Sequence, residues 1–264
     1  MIKALRARFF QKHRTIKFPK TIPPLPERYL GVPKIDRSKC VSGCTACMEI
    51  CPVDAISQNK KSGIKNSDAK NTGLLIDLGK CIFCGKCAEA CEHDSLVFTK
   101  DFRMAATDRK GLIICESEEL KRAEKLRAEI LRIFKRSLKL RQVSAGGCNA
   151  CEADINVLGT IGWDLDRFGI KFVASPRHAD GLVVTGPVTN NMREALLKTY
   201  EAIPSPKIVI AVGSCAVSGG LFSDHDETGS GVDTIIPVDL FIPGCPPNPL
   251  TILDGLLRIL GRIH

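Results

Sequence analysis

The stretch Gly146-Gly147-Cys148-Asn149-Ala150-Cys151-Glu152 places two thiols, separated by two residues, in a glycine-rich loop between a short apolar run and a candidate helix. Two more cysteines follow far downstream, each with Gly or Pro close by. Since Gly and Pro mark tight turns, we expect these thiols on loops. Four thiols on three loops of one small α/β unit are typical of a buried 4Fe–4S cluster. We interpret the four as its ligands and name them the third group: Cys148, Cys151, Cys215 and Cys245.

The sequence around the third group predicts a parallel β-sheet. Short Val- and Ile-rich runs alternate with helical stretches, which favours buried parallel strands in a flavodoxin-like α/β domain with a parallel sheet over residues 142–264. The predicted strands are 170–174, 182–185 and 207–212, and the predicted helices are 191–202 and 250–260. Ligands in such sheets bind beyond the carboxyl ends of the strands. Cys215 comes directly after the strand 207–212, Cys148 and Cys151 follow a short run ending at Val143, and Cys245 follows the apolar run 240–242.

Eight more cysteines lie upstream, in two copies of one motif: Cys40, Cys44, Cys47 and Cys51, then Cys81, Cys84, Cys87 and Cys91. The second copy has the spacing of two-cluster ferredoxins, in which the fourth cysteine of each run ligates the other cluster. This predicts an α+β two-cluster ferredoxin domain over residues 40–110. Its first group of ligands is Cys40, Cys44, Cys47 and Cys91, and its second group is Cys51, Cys81, Cys84 and Cys87. The three-residue gap after Cys40, and Glu92 in place of the usual proline, depart from the motif.

Length and cysteine usage restrict the class of protein. The chain has 264 residues, which is room for two domains. We find no apolar run near the roughly 18 residues of a membrane span and no secretory signal pattern, so we expect a cytoplasmic protein. Thiols stay reduced in that compartment, and the thirteen cysteines therefore favour metal ligation over disulfides.

The net charge of +9 raises the alternative of a zinc-stabilised protein that binds nucleic acid. Residues 1–39 carry eleven Lys and Arg against two acidic residues, but residues 142–264 carry eight against thirteen. The acidic C-terminal half, the two runs of four cysteines and the third group all argue against that class. We therefore expect no nucleic acid partner.

Two segments flank the ferredoxin motif. In residues 1–39, apolar residues at helical spacing among basic ones predict a helix that contacts a membrane surface or a partner, or else a solvated terminus. Five prolines within 19–33 predict an extended arm. Residues 111–141 are predicted to form an amphipathic connecting helix with Ser117 as its N-cap and an apolar stripe reaching Leu138. Between the cysteine runs, residues 58–72 are predicted to form a surface loop, and Cys115 a buried apolar thiol.

Two resemblances extend these predictions. The lead-in and residues 77–87 (DLGKCIFCGKC) resemble the ferredoxin-type subunit of formate hydrogenlyase and respiratory complex I over about residues 1–110. The C-terminal half is similar to the small subunit of nickel–iron hydrogenases and its complex I homologue, and most similar to the formate hydrogenlyase small subunit of membrane-bound, energy-converting hydrogenases. The matching pieces are 147–152, 175–180, 185–189 and 242–246. The chain thus resembles two neighbouring subunits fused.

The resemblance implies an electron-transfer subunit with three 4Fe–4S clusters, which relays electrons to or from a nickel–iron site in a separate large subunit. The implied partners are that large subunit, further electron-input subunits and membrane subunits, with peripheral association at the inner face of the cell membrane. The complex I homologue has two adjacent cysteines where two residues separate Cys148 from Cys151, which favours the hydrogenase. The alternative is a complex I-like quinone oxidoreductase without nickel.

The resemblance also implies roles for three polar residues. For Glu152 it implies proton transfer, beside the plain role of an acid in the first turn of a helix. Arg177 and His178 are expected to donate hydrogen bonds near the cluster, to face the large subunit, or to be structural.

Overall fold

The computed structural model describes residues 2–41, 43–58, 73–115, 120, 122–126, 128–134 and 136–263, and the structural statements below concern these residues. The helices are α1 Ile2–Gln11, α2 Ala46–Glu49, α3 Lys86–Glu89, α4 Ala128–Phe134, α5 Ala150–Val157, α6 Asn190–Ala202, α7 Ser214–Ser218 and α8 Pro249–Ile259. The strands are β1 Pro33–Ile35, β2 Ile56–Gln58, β3 Leu74–Asp77, β4 Leu96–Phe98, β5 Ile113–Cys115, β6 Leu138–Ser144, β7 Ile170–Phe172, β8 Gly181–Thr185, β9 Ile208–Val212 and β10 Leu240–Ile242.

The C-terminal half is built on a five-stranded parallel sheet in the order β10-β9-β8-β6-β7. With β6 counted as the first strand, this is the flavodoxin-like order 2-1-3-4-5. The predicted α/β flavodoxin-like domain with a parallel sheet is thereby confirmed. Helices α6 and α8 lie within one residue of their predicted bounds.

Both faces of this sheet are covered, which explains why β8 and β9 are unbroken or nearly unbroken apolar runs. Every residue of β8 and β9 is buried, as parallel strands between two layers require. All eleven residues of α8 are buried too, and its leucines share one apolar cluster with Leu140, Ile208 and Ile210 of the sheet. The edge strand β7 is partly exposed.

The ferredoxin region is α+β, as predicted. Strand β1 pairs antiparallel with β4, and β3 lies between β2 and β5 in a three-stranded antiparallel sheet. Its side chains Ile76 and Leu112 belong to the same apolar cluster as Leu182 and Val217 of the C-terminal half. An antiparallel bridge between Ala106 and Phe241 also joins the two halves. The two halves therefore share one core.

The N-terminal arm contacts both halves of the chain. The guanidinium of Arg167 donates to the carbonyl oxygens of Ile16 and Phe18 at 2.8 and 3.0 Å. The buried ring of Phe18 packs edge-on against Phe102, with 5.9 Å between the ring centroids. The extended arm is thus held in place by packing against the rest of the chain, since it cannot form a core of its own.

Helix α1 precedes the arm and carries no buried residue. Its apolar side chains are among the most exposed of the chain: Ile2, Leu5, Phe9 and Phe10. Among the described helices, none is both long enough and apolar enough to cross a bilayer.

The connecting helix predicted for residues 111–141 is wrong for the part of that segment which the structure describes. Residues 122–126 form no helix, α4 is short, and Leu138 begins a strand. The backbone amide of Ala123 donates to Ala105 and that of Leu126 to Ile259, so tertiary hydrogen bonds take up donors that a helix would use. The predicted N-cap Ser117 lies outside the described residues, as do residues 59–72 of the predicted surface loop.

An ion pair fixes the turn before the second cysteine run. The guanidinium of Arg109 donates to both carboxylate oxygens of Asp77 at 2.8 Å, and the two side chains are only 23% and 19% exposed. Replacing Arg109 with methionine leaves that carboxylate without its charged partner. We expect a loss of about 1–3 kcal/mol in the free energy of unfolding, measured by chemical denaturation.

The matched control for Arg109→Met is Lys198→Met. Lys198 and Glu194 form an ion pair whose side chains are 72% and 77% exposed. Exposed pairs of this kind contribute roughly 0–1 kcal/mol. Equal losses in the two variants would contradict a structural role for Arg109.

Candidate iron–sulfur centres

Three loops at one edge of the parallel sheet bring the third group together. Cys148 and Cys151 follow β6 at the start of α5, Cys215 lies in the first turn of α7 directly after β9, and Cys245 follows β10. Parallel strands present their carboxyl ends at the same edge. Burial raises the pKa of Cys151, and the nearby charges of Glu152 and the other three cysteines raise it further. The backbone amide of Ser214 donates to the carbonyl oxygen of Gly244 at 2.8 Å, so the loops that carry Cys215 and Cys245 are joined directly.

Glycines leave room beside two of these thiols. Gly213 has φ +91°, and a Cβ on it would lie 2.5 Å from the Sγ of Cys151. Gly220, at φ +57°, leaves the same kind of room beside Cys215, with the Sγ at 3.0 Å from a Cβ built on it. Glycine is the residue that adopts positive φ without steric cost. The glycines flanking Cys215 therefore serve close approach of the backbone to the thiols.

The structure also brings together the two sets that cross between the cysteine runs. One cavity is lined by the first group, with Ile35 and Leu96 beside it. A second cavity is lined by the second group, with Pro52 and Phe98 beside it. In each set three cysteines come from one run and the fourth from the other run. This is the exchange that the ferredoxin spacing predicts.

The thiols of the second and third groups are unfavourable places for bare negative charge. Burial, followed by repulsion from neighbouring cysteines, raises the pKa of Cys81 to about 12 and the pKa of Cys87 to about 11. The same causes raise the pKa of Cys215 to about 11. Thiolates packed together in this way are stable when they bind a positively charged metal core. The donor chemistry of the three groups thus fits iron–sulfur clusters.

Backbone amides point at several of the sulfur atoms. The amides of Ala55, Phe83 and Ser95 each donate to a cysteine Sγ at 3.3 Å, and the sulfurs belong in turn to Cys51, Cys81 and Cys91. At Cys91 burial alone would raise the pKa, but the hydrogen bonds from Ser95 and its neighbours lower it. Hydrogen bonds to the sulfurs are one of the determinants of cluster reduction potential. The cysteine spacing did not predict these donors.

A site for a single metal ion needs closer ligands than a site for an iron–sulfur cluster. Among the residues that the structure describes, no three Cys, His, Asp or Glu side chains are grouped closely enough to hold one metal ion.

Cys115, the thirteenth cysteine, is partly buried in β5 and belongs to none of the three groups.

Two family comparisons match these regions. Residues 39–96 match the 4Fe-4S dicluster domain, and residues 148–259 match the NADH ubiquinone oxidoreductase 20 kDa subunit. The probable membrane-bound hydrogenase subunit mbhJ of Pyrococcus furiosus is 46% identical over 147 residues, which are 56% of this chain and 88% of that protein. The chain belongs to the 20 kDa subunit family. It joins to that family's domain a 4Fe–4S dicluster domain.

Other relatives of this 20 kDa subunit homologue come from two kinds of complex. Formate hydrogenlyase subunit 7 of Escherichia coli is 46% identical over 139 residues, or 53% of this chain and 54% of that protein. An NADH-quinone oxidoreductase subunit of Desulfovibrio desulfuricans is 46% identical over 118 residues, or 45% of this chain and 64% of that protein. The chain thus belongs to a family of oxidoreductase complex subunits.

In this 20 kDa subunit homologue, Glu152 lies in the first turn of α5 and is buried. Its Oε1 accepts a hydrogen bond of 2.6 Å from the hydroxyl of Thr185 at the end of β8. Burial alone would raise the pKa of Glu152, but hydrogen bonds from Ser144 and Thr185 lower it. A charged carboxylate at the start of a helix matches its plain predicted role. Its role in proton transfer stays a prediction.

Some polar residues around the centres were predicted from the sequence and others were not. Arg177 and His178, which were predicted, lie in a single turn before β8, where neither is buried. Ser214 and Ser218 were not predicted, because no sequence motif contains them. Their buried hydroxyls join the ferredoxin region to α7.

Proposed function

We propose that the chain is the electron-transfer subunit of a membrane-associated nickel–iron hydrogenase complex similar to formate hydrogenlyase. Three 4Fe–4S clusters, when bound, supply one-electron carriers, and the first, second and third groups are their ligands. The observation that carries this proposal is the convergence of four thiols at the carboxyl edge of the sheet, next to two crossed ferredoxin-type sets. The active site for hydrogen would lie in a separate large subunit.

The exposure of the cysteines leaves all three groups open to partner proteins. Cys40 and Cys44 of the first group are exposed, and so are Cys84 of the second and Cys148 and Cys245 of the third. The first and third groups therefore each have a side from which a partner protein can approach. The second group is joined to the third through α7. Electrons would pass between a partner at the first group and the large subunit at the third.

The spacing of Cys148 and Cys151 supports the hydrogenase over the quinone enzyme. Two residues separate these thiols, as in the hydrogenase-type subunits that the chain resembles, whereas the complex I homologue has adjacent cysteines. The second candidate, a complex I-like quinone oxidoreductase without nickel, is favoured by the relatives that carry the name NADH-quinone oxidoreductase.

Peripheral association with a membrane through the complex belongs to the same proposal. Relatives carry the names of a membrane-bound hydrogenase subunit and of formate hydrogenlyase. Helix α1 supports such contact because it exposes apolar side chains together with Lys3, Arg6 and Arg8. Its position at the inner face of the cell membrane follows the same analogy.

Metal analysis tests the clusters. We expect about twelve iron atoms and about twelve acid-labile sulfides per chain, because each of the three clusters contains four of each. The measurement is colorimetric iron and sulfide analysis of the anaerobically purified full chain. Stoichiometric zinc without sulfide would contradict both electron-transfer candidates.

The intact complex separates the two candidates. We expect the purified complex to contain nickel and to reduce a redox dye with hydrogen. A nickel-free complex that reduces quinone would favour the second candidate. This chain alone should show no hydrogen turnover. Twelve of its thirteen cysteines belong to the three groups, so no pair of cysteines is left to bind nickel.

A further inference from the structure

The second and third groups meet at one side chain, Ser214. This serine begins α7 and directly precedes Cys215 of the third group. Its Oγ lies 2.7 Å from the carbonyl oxygen of Cys81, a member of the second group, and 3.1 Å from the carbonyl oxygen of Gly244, which precedes Cys245. A carbonyl oxygen only accepts hydrogen bonds, so the hydroxyl is the donor. A single hydroxyl therefore contacts the ligand loops of both groups.

The surroundings hold this hydroxyl in place. Ser214 is only 1% exposed, and its backbone amide donates to the same Gly244 oxygen at 2.8 Å. Water does not compete for a hydrogen bond in such a site, and the low local dielectric strengthens it. The contact joins residues 133 positions apart in the chain. It is thus a fixed tertiary connection between the two halves.

We propose that Ser214 bridges the electron-transfer route between the second and third clusters, an inference that rests on the proposed function. With the clusters bound, one electron from the reduced second cluster would cross Cys81, the hydrogen bond and Ser214 and reach the oxidised third cluster through Cys215. The donor is oxidised by one electron and the acceptor is reduced by one. The hydroxyl proton stays on Oγ, and no covalent bond forms or breaks.

The physical reason is the steep dependence of electron tunnelling on the medium. Covalent bonds couple two redox centres best, hydrogen bonds less well, and van der Waals gaps worst. Between Cys81 and Cys215 the chain offers one hydrogen bond and otherwise only covalent bonds. Truncating Ser214 to alanine replaces that hydrogen bond with a gap beside the Cys81 carbonyl.

Ser218 provides a matched control on the same helix. Its Oγ donates to the carbonyl oxygen of Gly79 at 2.9 Å, and the residue is 8% exposed. Ser218→Ala therefore removes a similar buried hydrogen bond across the same interface. Gly79 belongs to none of the cysteine groups, so this bond lies off the proposed route. The two variants should lose similar amounts of stability, because each loses the hydrogen bonds of one buried hydroxyl.

The test uses the full-length, cluster-loaded chain. A flash-activated photoreductant delivers about one electron per chain, and rapid freezing followed by EPR spectroscopy records each cluster over time. In Ser214→Ala we expect the matched decay of the second signal and growth of the third to slow several-fold. In Ser218→Ala and in Ser214→Thr, which keeps a hydroxyl, we expect the wild-type rate. The reduction potentials should stay unchanged in all variants, because the Ser214 hydrogen bonds end on backbone oxygens.

Two results would overturn the bridging role. One is a wild-type transfer rate in Ser214→Ala. The other is an equal slowing in Ser218→Ala, which would show that the packing of the interface, rather than the Ser214 hydroxyl, controls transfer. A wild-type chain without a third EPR signal would instead overturn the proposed function, and this inference with it.

Discussion

Replacing Gly213 with alanine is expected to remove the third cluster and spare the other two, so that iron falls from about twelve to about eight atoms per chain. Gly213 adopts φ +91° and ψ 152°, a conformation that costs other residues about 1–3 kcal/mol. A Cβ at this position would also lie 2.5 Å from the Sγ of Cys151, in steric overlap with that thiol. The thiol must move, and the site then loses a ligand. Iron analysis and EPR spectroscopy measure the loss.

Gly43→Ala is the matched control for this prediction. Gly43 also has positive φ, at +83°, and also lies beside a cysteine, but a Cβ on it meets no atom within 4 Å. It therefore tests backbone strain without steric overlap, and we expect it to keep about twelve iron atoms. A full iron content in Gly213→Ala would show that the backbone after β9 does not shape the third site.

Changing Cys91 to serine is expected to abolish the first cluster, although Cys91 is encoded in the second cysteine run. The structure supports this because Cys91 lines the same cavity as Cys40, Cys44 and Cys47. Cys91→Ser should therefore remove the same EPR signal as Cys44→Ser. Each variant should retain about eight iron atoms per chain.

The reciprocal pair completes the experiment. Cys51→Ser should remove the same signal as Cys84→Ser, because both thiols line the second cavity. Cys115→Ser should keep all three signals, since Cys115 belongs to no group of four. If Cys91→Ser instead removed the signal that Cys84→Ser removes, each run would hold its own cluster, and the crossed arrangement would be wrong.

The sheet and its helices could be predicted from the sequence because their causes are local. Strands β8 and β9 are buried on both faces and therefore appear as unbroken or nearly unbroken apolar runs. Helix α6 lies within one residue of the predicted helix. The sets of cysteines were also predictable, because the ferredoxin spacing fixes which thiol crosses to the other cluster.

The segment before the sheet shows where local pattern fails. Its apolar residues repeat at helical spacing as far as Leu138, but Leu138 and Leu140 are fully buried in β6. The amides of Ala123 and Leu126 bond to distant carbonyls instead of forming a helical turn. Helical periodicity is a weak preference, and long-range hydrogen bonds and sheet pairing outweigh it.

The sequence by itself predicted the cysteine sets, the parallel sheet and helices α6 and α8, because spacing and hydrophobic period act between near neighbours. Only the tertiary structure decided how the second and third groups are connected. Ser214 and Cys81 contact each other across 133 residues, and Gly213 leaves room for a thiol from another loop. Such contacts depend on how the two halves pack. The serine and glycine residues that make them follow no periodic pattern, so the sequence does not predict them.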